Sequence, residues 1–112
     1  MKRISARQNA KQAARKPLRE AQLRKYPFCE GRDYRHVCFG GLTVHEPWTR
    51  ARGGPIDDAR NMVTVCAEFN RRISQDAAVM RWATLNGFLI HSAAGPEWLA
   101  AGGFRTSGPT AP

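Results

Sequence analysis

Apolar positions are sparse at the start of the chain and then recur at spacings that change from one segment to the next. Before Pro17 the apolar residues are, apart from Met1, only Ile4 and several alanines, so residues 1–16 cannot bury one face of a helix. We expect a basic arm there, disordered or helical only on contact with nucleic acid. Pro17 suits the first position of a helix, and the apolar residues after it predict a short helix that ends before Pro27.

In the middle of the chain the apolar residues occur in shorter segments. Residues 28–44 are short aromatic and β-branched pieces separated by glycines, a pattern typical of hairpins and ribbons. The apolar run at residues 62–65 predicts a brief strand. Phe69 and Ile73 then follow the last residue of that run at helical spacing, which predicts a helix with Asn70 on one flank.

A second helix is predicted directly afterwards, with Ser74 as its N-cap and Gly87 as its stop. Its apolar positions are Ala78, Met80, Trp82 and Leu85. We expect Met80 and Leu85 in the core and Trp82 in the core or a lid. Residues 88–91 predict a strand or an extended closing segment, and residues 95–102 predict one helical turn before a polar tail.

Charge points to the class of partner. The 112 residues contain 18 Lys and Arg against 9 Asp and Glu, a formal net charge of +9. Nine of the basic residues and only one acid fall within residues 1–25. Such a concentration favours a polyanionic partner, and nucleic acid is the first choice. No apolar stretch approaches the roughly 20 residues of a membrane span, so we expect a cytoplasmic protein without membrane contact.

The length is that of one domain. We expect a basic flexible arm over residues 1–16, a single domain over residues 17–105 and a flexible tail over residues 106–112. The three cysteines are an odd number, which argues against a fully paired disulfide framework. Metal binding or burial in the core remain as their uses.

The residues that could carry chemistry lie in one segment, VHEPWTRARGGPIDDARNMVTVCAEFN, which covers residues 44–70. It combines an imidazole and carboxylate pair, a Gly-Gly step, a later Asn, an apolar run, a cysteine and a final Asn. This order resembles the HNH endonuclease family, the ββα-metal nucleases, and especially its small phage and prophage members. The resemblance covers residues 29–91 and implies an α+β fold: a ββα-metal core with a basic N-terminal helix or arm and a short C-terminal helix.

The resemblance also implies roles for single residues. Counted back from the Gly-Gly step, His45 falls on the family's metal-ligand position and Glu46 falls where the family usually has its general-base histidine. The alternative is a shift of one residue, with His45 as the base and a ligand supplied by Glu46 or from elsewhere. Asn61 matches the middle Asn, whose amide tethers the loop and so supports catalysis. Asn70 stands at the last ligand position, where its amide oxygen would bind the ion.

One imidazole and one amide would leave most of the ion's shell to water and phosphate oxygens. This suits Mg²⁺ or Mn²⁺, although an imidazole also admits Ni²⁺ or Zn²⁺. Many family members carry a separate structural zinc on four cysteines, but here Phe69 stands at the fourth position. We expect Cys66 to be a small core residue and Phe69 to fill the vacant metal volume. The alternative is a Cys₃His zinc site formed by Cys29, Cys38, Cys66 and His36.

Basic residues in the arm, in the following helix and beside the site are candidates for contact with DNA phosphates. They are Lys11, Arg15, Lys16, Arg19, Arg50, Arg52, Arg71 and Arg72. Similarity to phage nucleases makes terminase or another packaging protein a candidate partner, and the bacterial host cytoplasm the place of action. We expect a monomer or a homodimer.

The sequence therefore predicts a metal-dependent DNA endonuclease that hydrolyses phosphodiester bonds and leaves 5′-phosphates. Two alternatives stay open at this point. One is a nucleic-acid-binding module on the same fold that has weakened or lost catalysis, which the carboxylate at position 46 favours. The other is a small basic structural protein, for example one bound to ribonucleoprotein.

Overall fold

The computed structural model describes residues 6–107 and shows a long helix packed against a two-stranded sheet and a group of shorter helices. The first helix, α1, spans Ala6–Lys25 as one continuous element with Pro17 inside it. The prediction of a helix that starts at Pro17 is therefore wrong. Alanine, lysine, arginine and glutamine are strong helix formers, and α1 also packs against the sheet. The helix therefore tolerates the loss of the one backbone hydrogen bond that Pro17 cannot donate.

The sheet is a single antiparallel pair, with β1 at Leu42–His45 and β2 at Val63–Cys66. Leu42 lies opposite Cys66, and His45 lies opposite Val63. Every residue of β2 is buried, as the apolar run predicts for a strand covered on both faces. A two-stranded sheet with helices packed on it confirms an α+β fold.

Helix α2, Ala67–Gln75, begins as soon as β2 ends, and helix α3 follows at Ala77–Leu85. The predicted N-cap of the second helix is wrong by two residues. Asp76 caps α3 by accepting hydrogen bonds from the backbone N–H groups of Ala78 and Val79. Ser74 lies inside α2, where its hydroxyl donates to the backbone carbonyl of Arg71.

The core lies between the sheet, α2, α3 and the C-terminal segment. Its members are Cys29, Val63, Val65, Cys66, Phe69, Ile73, Val79, Ala83, Phe88, Leu89, Trp98 and Phe104. Met80 and Leu85 were expected in this core, but they are 37% and 79% exposed. Val79 and Ala83 are buried in their place, because a four-residue spacing keeps two side chains on the same helix face.

Most of the predicted ribbon segment, residues 28–44, contains no strand, and only its last three residues belong to β1. Residues 28–41, all of which the structure describes, form turns and irregular chain before β1. Residues 88–91 also lack strand pairing, although the Ile90 N–H donates to the Pro47 carbonyl. The predicted C-terminal turn is confirmed as α4, Gly95–Ala100, and a last short helix, α5, spans Phe104–Ser107.

The predicted arm and tail fall partly outside the described residues. Residues 6–16 of the arm belong to α1, and residues 106–107 of the tail belong to α5. Residues 1–5 and 108–112 lie beyond the described part of the chain. Within residues 6–107, no helix combines the length and the apolar character needed to cross a bilayer.

Candidate functional site

The long loop between the two strands is tied together by Asn61. This side chain is completely buried and uses all of its amide group. Its nitrogen donates to the carbonyls of Trp48 and Pro55, both at 2.8 Å, and its oxygen accepts from the Trp48 N–H at 2.9 Å. One side chain therefore fixes both the start and the middle of the loop. This is the tether that the motif implies at this position.

His45 is the last residue of β1 and is buried. Its Nε2 lies 2.6 Å from the backbone oxygen of Phe88. A carbonyl can only accept a hydrogen bond, so Nε2 carries the proton and a neutral ring keeps a lone pair on Nδ1. Burial lowers the pKa of His45 and outweighs the Phe88 carbonyl and the Asn70 side chain, which favour the charged ring and raise the pKa.

Asn70 lies on the first part of α2, and its side chain lines the same cleft as that of His45. The two residues are far apart in sequence. They come together because α2 begins opposite the start of β1 and packs back against that strand. They face an open cleft of about 420 Å³. Its lining also includes Thr49, Ala51, Arg52, Arg71, Ile73, Ser74, Met80 and Leu89. The cleft thus offers an imidazole nitrogen, an amide oxygen and arginine side chains within one small volume.

Glu46 takes a different direction from its neighbour. Its carboxylate forms an ion pair with Arg15 of α1 at 3.3 Å. Successive side chains along an extended strand point to opposite sides, so His45 faces α2 while Glu46 faces α1. The structure therefore brings His45 and Asn70 together and places Glu46 on the other side. The role of Glu46 as general base stays a prediction.

The basic residues expected to contact DNA are spread over α1, the loop between the strands and α2. Lys11 and Arg50 line a groove of about 340 Å³ between α1 and the loop. Arg52 lines the cleft of His45 and donates to the Ile90 carbonyl at 3.1 Å. On α1, Lys16 is exposed and Arg19 is half-buried. On α2, Arg71 pairs with Glu68, and Arg72 pairs with Asp76 at 3.3 Å.

A second cluster of possible ligands lies where the irregular segment before β1 meets the start of α2. It contains Cys29, His36, Cys38 and Cys66, and their ligand atoms all lie within 4.8 Å of one another. The Nε2 atom of His36 is 3.7, 3.5 and 3.4 Å from the sulfurs of Cys29, Cys38 and Cys66. These four residues could hold a metal ion. The less favoured sequence interpretation, a Cys₃His set, describes their arrangement.

The His36 ring is oriented for such a role. Its Nδ1 lies 2.6 Å from the carbonyl of Tyr34, which makes Nδ1 the donor and leaves the Nε2 lone pair facing the three sulfurs. Phe69 stacks on this ring with centroids 4.8 Å apart. The expected packing of Phe69 in this region is therefore present, but it supports the histidine and does not replace a metal.

The cysteines have unequal affinities for their protons. Burial raises the pKa of Cys66, but the backbone of Phe69 and Phe39 and the side chains of His36 and Cys38 outweigh burial and lower the pKa to about 7. Cys66 is also the N-cap of α2, where the helix dipole favours a thiolate. Burial raises the pKa of Cys29 to about 12. Binding a cation would remove this difference, because each metal-bound sulfur is a thiolate.

Two contributors to the cleft carried no signal in the sequence. The carbonyl of Phe88 fixes the tautomer of His45, and the carbonyl of Ile90 holds Arg52. Every residue has a carbonyl, so no residue type marks this use. For the second cluster a signal did exist, since His36 lies two residues before Cys38.

In comparisons with known proteins, no family model, no curated protein and no solved structure matches this chain. The motif in residues 44–70 and the geometry of the cleft and the cysteine cluster are therefore what indicate the function.

Proposed function

We propose that this protein is a metal-dependent DNA endonuclease of the ββα-metal type. The observation that carries the proposal is that His45, at the end of β1, and Asn70, on the first part of α2, line the same open cleft. The strand, loop, strand and helix order has the connectivity of that core. The tether made by Asn61 keeps the intervening loop in place beside the cleft.

His45 and Asn70 would hold the catalytic divalent ion, Mg²⁺ or Mn²⁺. The donor set fits, because the Nδ1 lone pair of His45 is free of a proton and the amide of Asn70 offers an oxygen next to it. The Nε2–H bond to Phe88 is the outer contact that commonly orients a ligating histidine. When bound, the ion would coordinate the scissile phosphate and stabilise its developing negative charge.

The proposal gives Glu46 a role other than that of general base. Its ion pair with Arg15 joins the end of β1 to α1, and its side chain lies on the opposite side of the strand from His45. A carboxylate in that position cannot reach a water molecule in the cleft without leaving Arg15. We therefore propose that Glu46 anchors α1 and that His45 provides the functional group of the pair.

The path of the DNA backbone is proposed from the placement of the cations. The turn at Arg50–Arg52 lies between the two depressions, with Arg50 on the groove beside α1 and Arg52 on the cleft of His45. Lys11 faces the same groove from α1. A backbone that follows these residues would meet positive charge on both sides of the turn, which sets position without selecting a sequence.

The proposal is tested by conversion of supercoiled plasmid to nicked and linear forms with Mg²⁺, Mn²⁺, Ni²⁺ or no added metal. We expect metal-dependent breaks that His45→Ala or Asn70→Ala reduces about 100-fold or more, the scale on which positioned catalytic groups act. Glu46→Gln should change the rate by less than about fivefold, because a partly exposed ion pair contributes at most about 1 kcal/mol.

His91→Ala is the matched control, since His91 is exposed and lies outside the cleft lining. It should cleave like the wild-type chain. Equal loss in Glu46→Gln and His45→Ala would instead assign Glu46 as the base. Salt-sensitive DNA binding without cleavage by any ion would refute the nuclease and leave the binding module on the same fold.

We also propose that the Cys₃His cluster binds a structural Zn²⁺. Tetrahedral zinc with Zn–N near 2.0 Å and Zn–S near 2.3 Å separates nitrogen from sulfur by about 3.5 Å. The three distances from His36 Nε2, 3.4 to 3.7 Å, agree with that separation. Four protein ligands leave no open position, which is typical of a structural and not a catalytic zinc.

A further inference from the structure

Two apolar side chains project from the segment that carries the cysteine cluster. Val37 is 83% exposed and Phe39 is 74% exposed, and they lie on either side of Cys38. We call residues 37–39 the knuckle tip. Together these two side chains form a small apolar projection that is open to contact with another molecule.

The knuckle tip is held firmly at its base. The sulfur of Cys38 lies 3.5 Å from His36 Nε2 within the cysteine cluster. The carbonyl of Phe39 accepts a hydrogen bond from the Glu68 N–H at 3.0 Å, which attaches the tip to the first turn of α2. The same helix carries Asn70. The tip is therefore a supported projection, fixed to the helix that lines the cleft.

The apolar area of the tip is too small for a stable complex with another protein. A buried aromatic side chain covers about 150–250 Å², so two side chains fall well short of the roughly 800 Å² that each partner of a stable protein complex buries. The surrounding charge favours a polyanion. Arg32 and Arg35, both exposed, precede the tip with one acid, Asp33, between them.

We propose that the knuckle tip is a wedge that inserts Phe39, with Val37 beside it, between two adjacent base pairs of the bound DNA. Apolar wedges of this kind partly unstack the bases and kink the duplex by tens of degrees. The inference rests on the proposed function, because it requires DNA as the ligand. The wedge would add an apolar contact with the bases to the contacts that the cations make with the backbone. It would favour DNA sequences whose base steps open easily.

The test is energy transfer between dyes at the two ends of a short DNA duplex, with the zinc-loaded chain and no added Mg²⁺ or Mn²⁺. Wild-type protein should shorten the distance between the ends. Phe39→Ala should abolish the shortening and weaken binding about tenfold, the scale of one lost stacking contact. Phe39→Trp, which keeps a ring, should restore both effects.

Leu85→Ala is the matched control, because Leu85 is 79% exposed on α3 and is not part of the tip. It should bind and bend DNA like the wild-type chain. The slope of log Kd against log salt should be the same for Phe39→Ala and wild type, since no cation is removed.

Wild-type protein that binds and cleaves DNA without bending it would overturn the wedge and leave the nuclease intact. Absence of DNA binding at all scanned salt concentrations would overturn both proposals. Self-association of the wild-type chain that Phe39→Ala abolishes, measured by sedimentation, would show that the tip is a protein contact and overturn the wedge.

Discussion

Asn61 is the residue on which the geometry of the strand-connecting loop most directly depends. Its amide makes three hydrogen bonds to the backbone of Trp48 and Pro55 from a completely buried position. Asn61→Ala leaves those backbone groups without this partner inside the protein. We expect a loss of about 2–4 kcal/mol in the free energy of unfolding, measured by urea denaturation.

The control for Asn61 is another asparagine with a simpler contact. Asn86 donates one hydrogen bond to the Trp82 carbonyl at the end of α3. Asn86→Ala should cost less than about 1.5 kcal/mol. If both substitutions lower the free energy of unfolding by the same amount, Asn61 is not the tether of the loop. A folded Asn61→Ala chain should also cleave DNA more slowly than wild type.

At the scale of elements, the junction of α2 and α3 depends on Asp76. Its carboxylate accepts from the N–H groups of Val79 and Ala78 and pairs with Arg72 of the preceding helix. These contacts, that with Val79 first, lower the pKa of Asp76 below 3.8. The stability they contribute is fully present above pH 3.8 and is lost as the pH falls through the lowered folded-state value.

Asp76→Asn isolates this contribution, because an asparagine can still cap a helix but does not titrate. We expect the difference in thermal midpoint between wild type and Asp76→Asn to be constant near neutral pH and to shrink below pH 3.8. A difference that does not change with pH would show that the charge of Asp76 has no part in stabilising the junction.

At the scale of the whole molecule, the cysteine cluster joins segments that lie far apart in the chain. Cys29, His36 and Cys38 precede β1, whereas Cys66 ends β2 and begins α2. A structural zinc in a small domain contributes on the order of 10 kcal/mol. We therefore expect a chelator to unfold the domain, with the transition followed by circular dichroism and zinc content measured in parallel.

Single substitutions should separate the cluster from the cleft. His36→Ala and Cys38→Ser should lower both the zinc content and the thermal midpoint. His45→Ala should leave the zinc content unchanged, because His45 lies in the other site. The proposed zinc centre is refuted if the wild-type protein binds no zinc or if the His36→Ala variant keeps its zinc.

Elements whose burial follows a local apolar pattern were predictable, and those that depend on contacts with distant residues were not. The strand at Val63–Cys66 and the helix at Ala67–Gln75 were predictable, because their apolar periods record which side of a local element is buried. Helix α1 was not, since its apolar content is low and it gains stability from packing on the sheet. Met80 and Leu85 were misplaced because several rotations of a short apolar helix fit the same pattern.

By itself, the sequence determined the α+β class, the strand and helix around Asn70, the concentration of basic residues in residues 1–25 and the set of residues that could bear chemistry. Only the tertiary structure decided how those residues combine. It gathered His36 with three cysteines, set His45 against Asn70 and the Phe88 carbonyl, and turned Glu46 toward Arg15. The physical reason is that periodicity reflects neighbours along the chain, whereas ligand sets and hydrogen-bond partners arise where distant segments pack together.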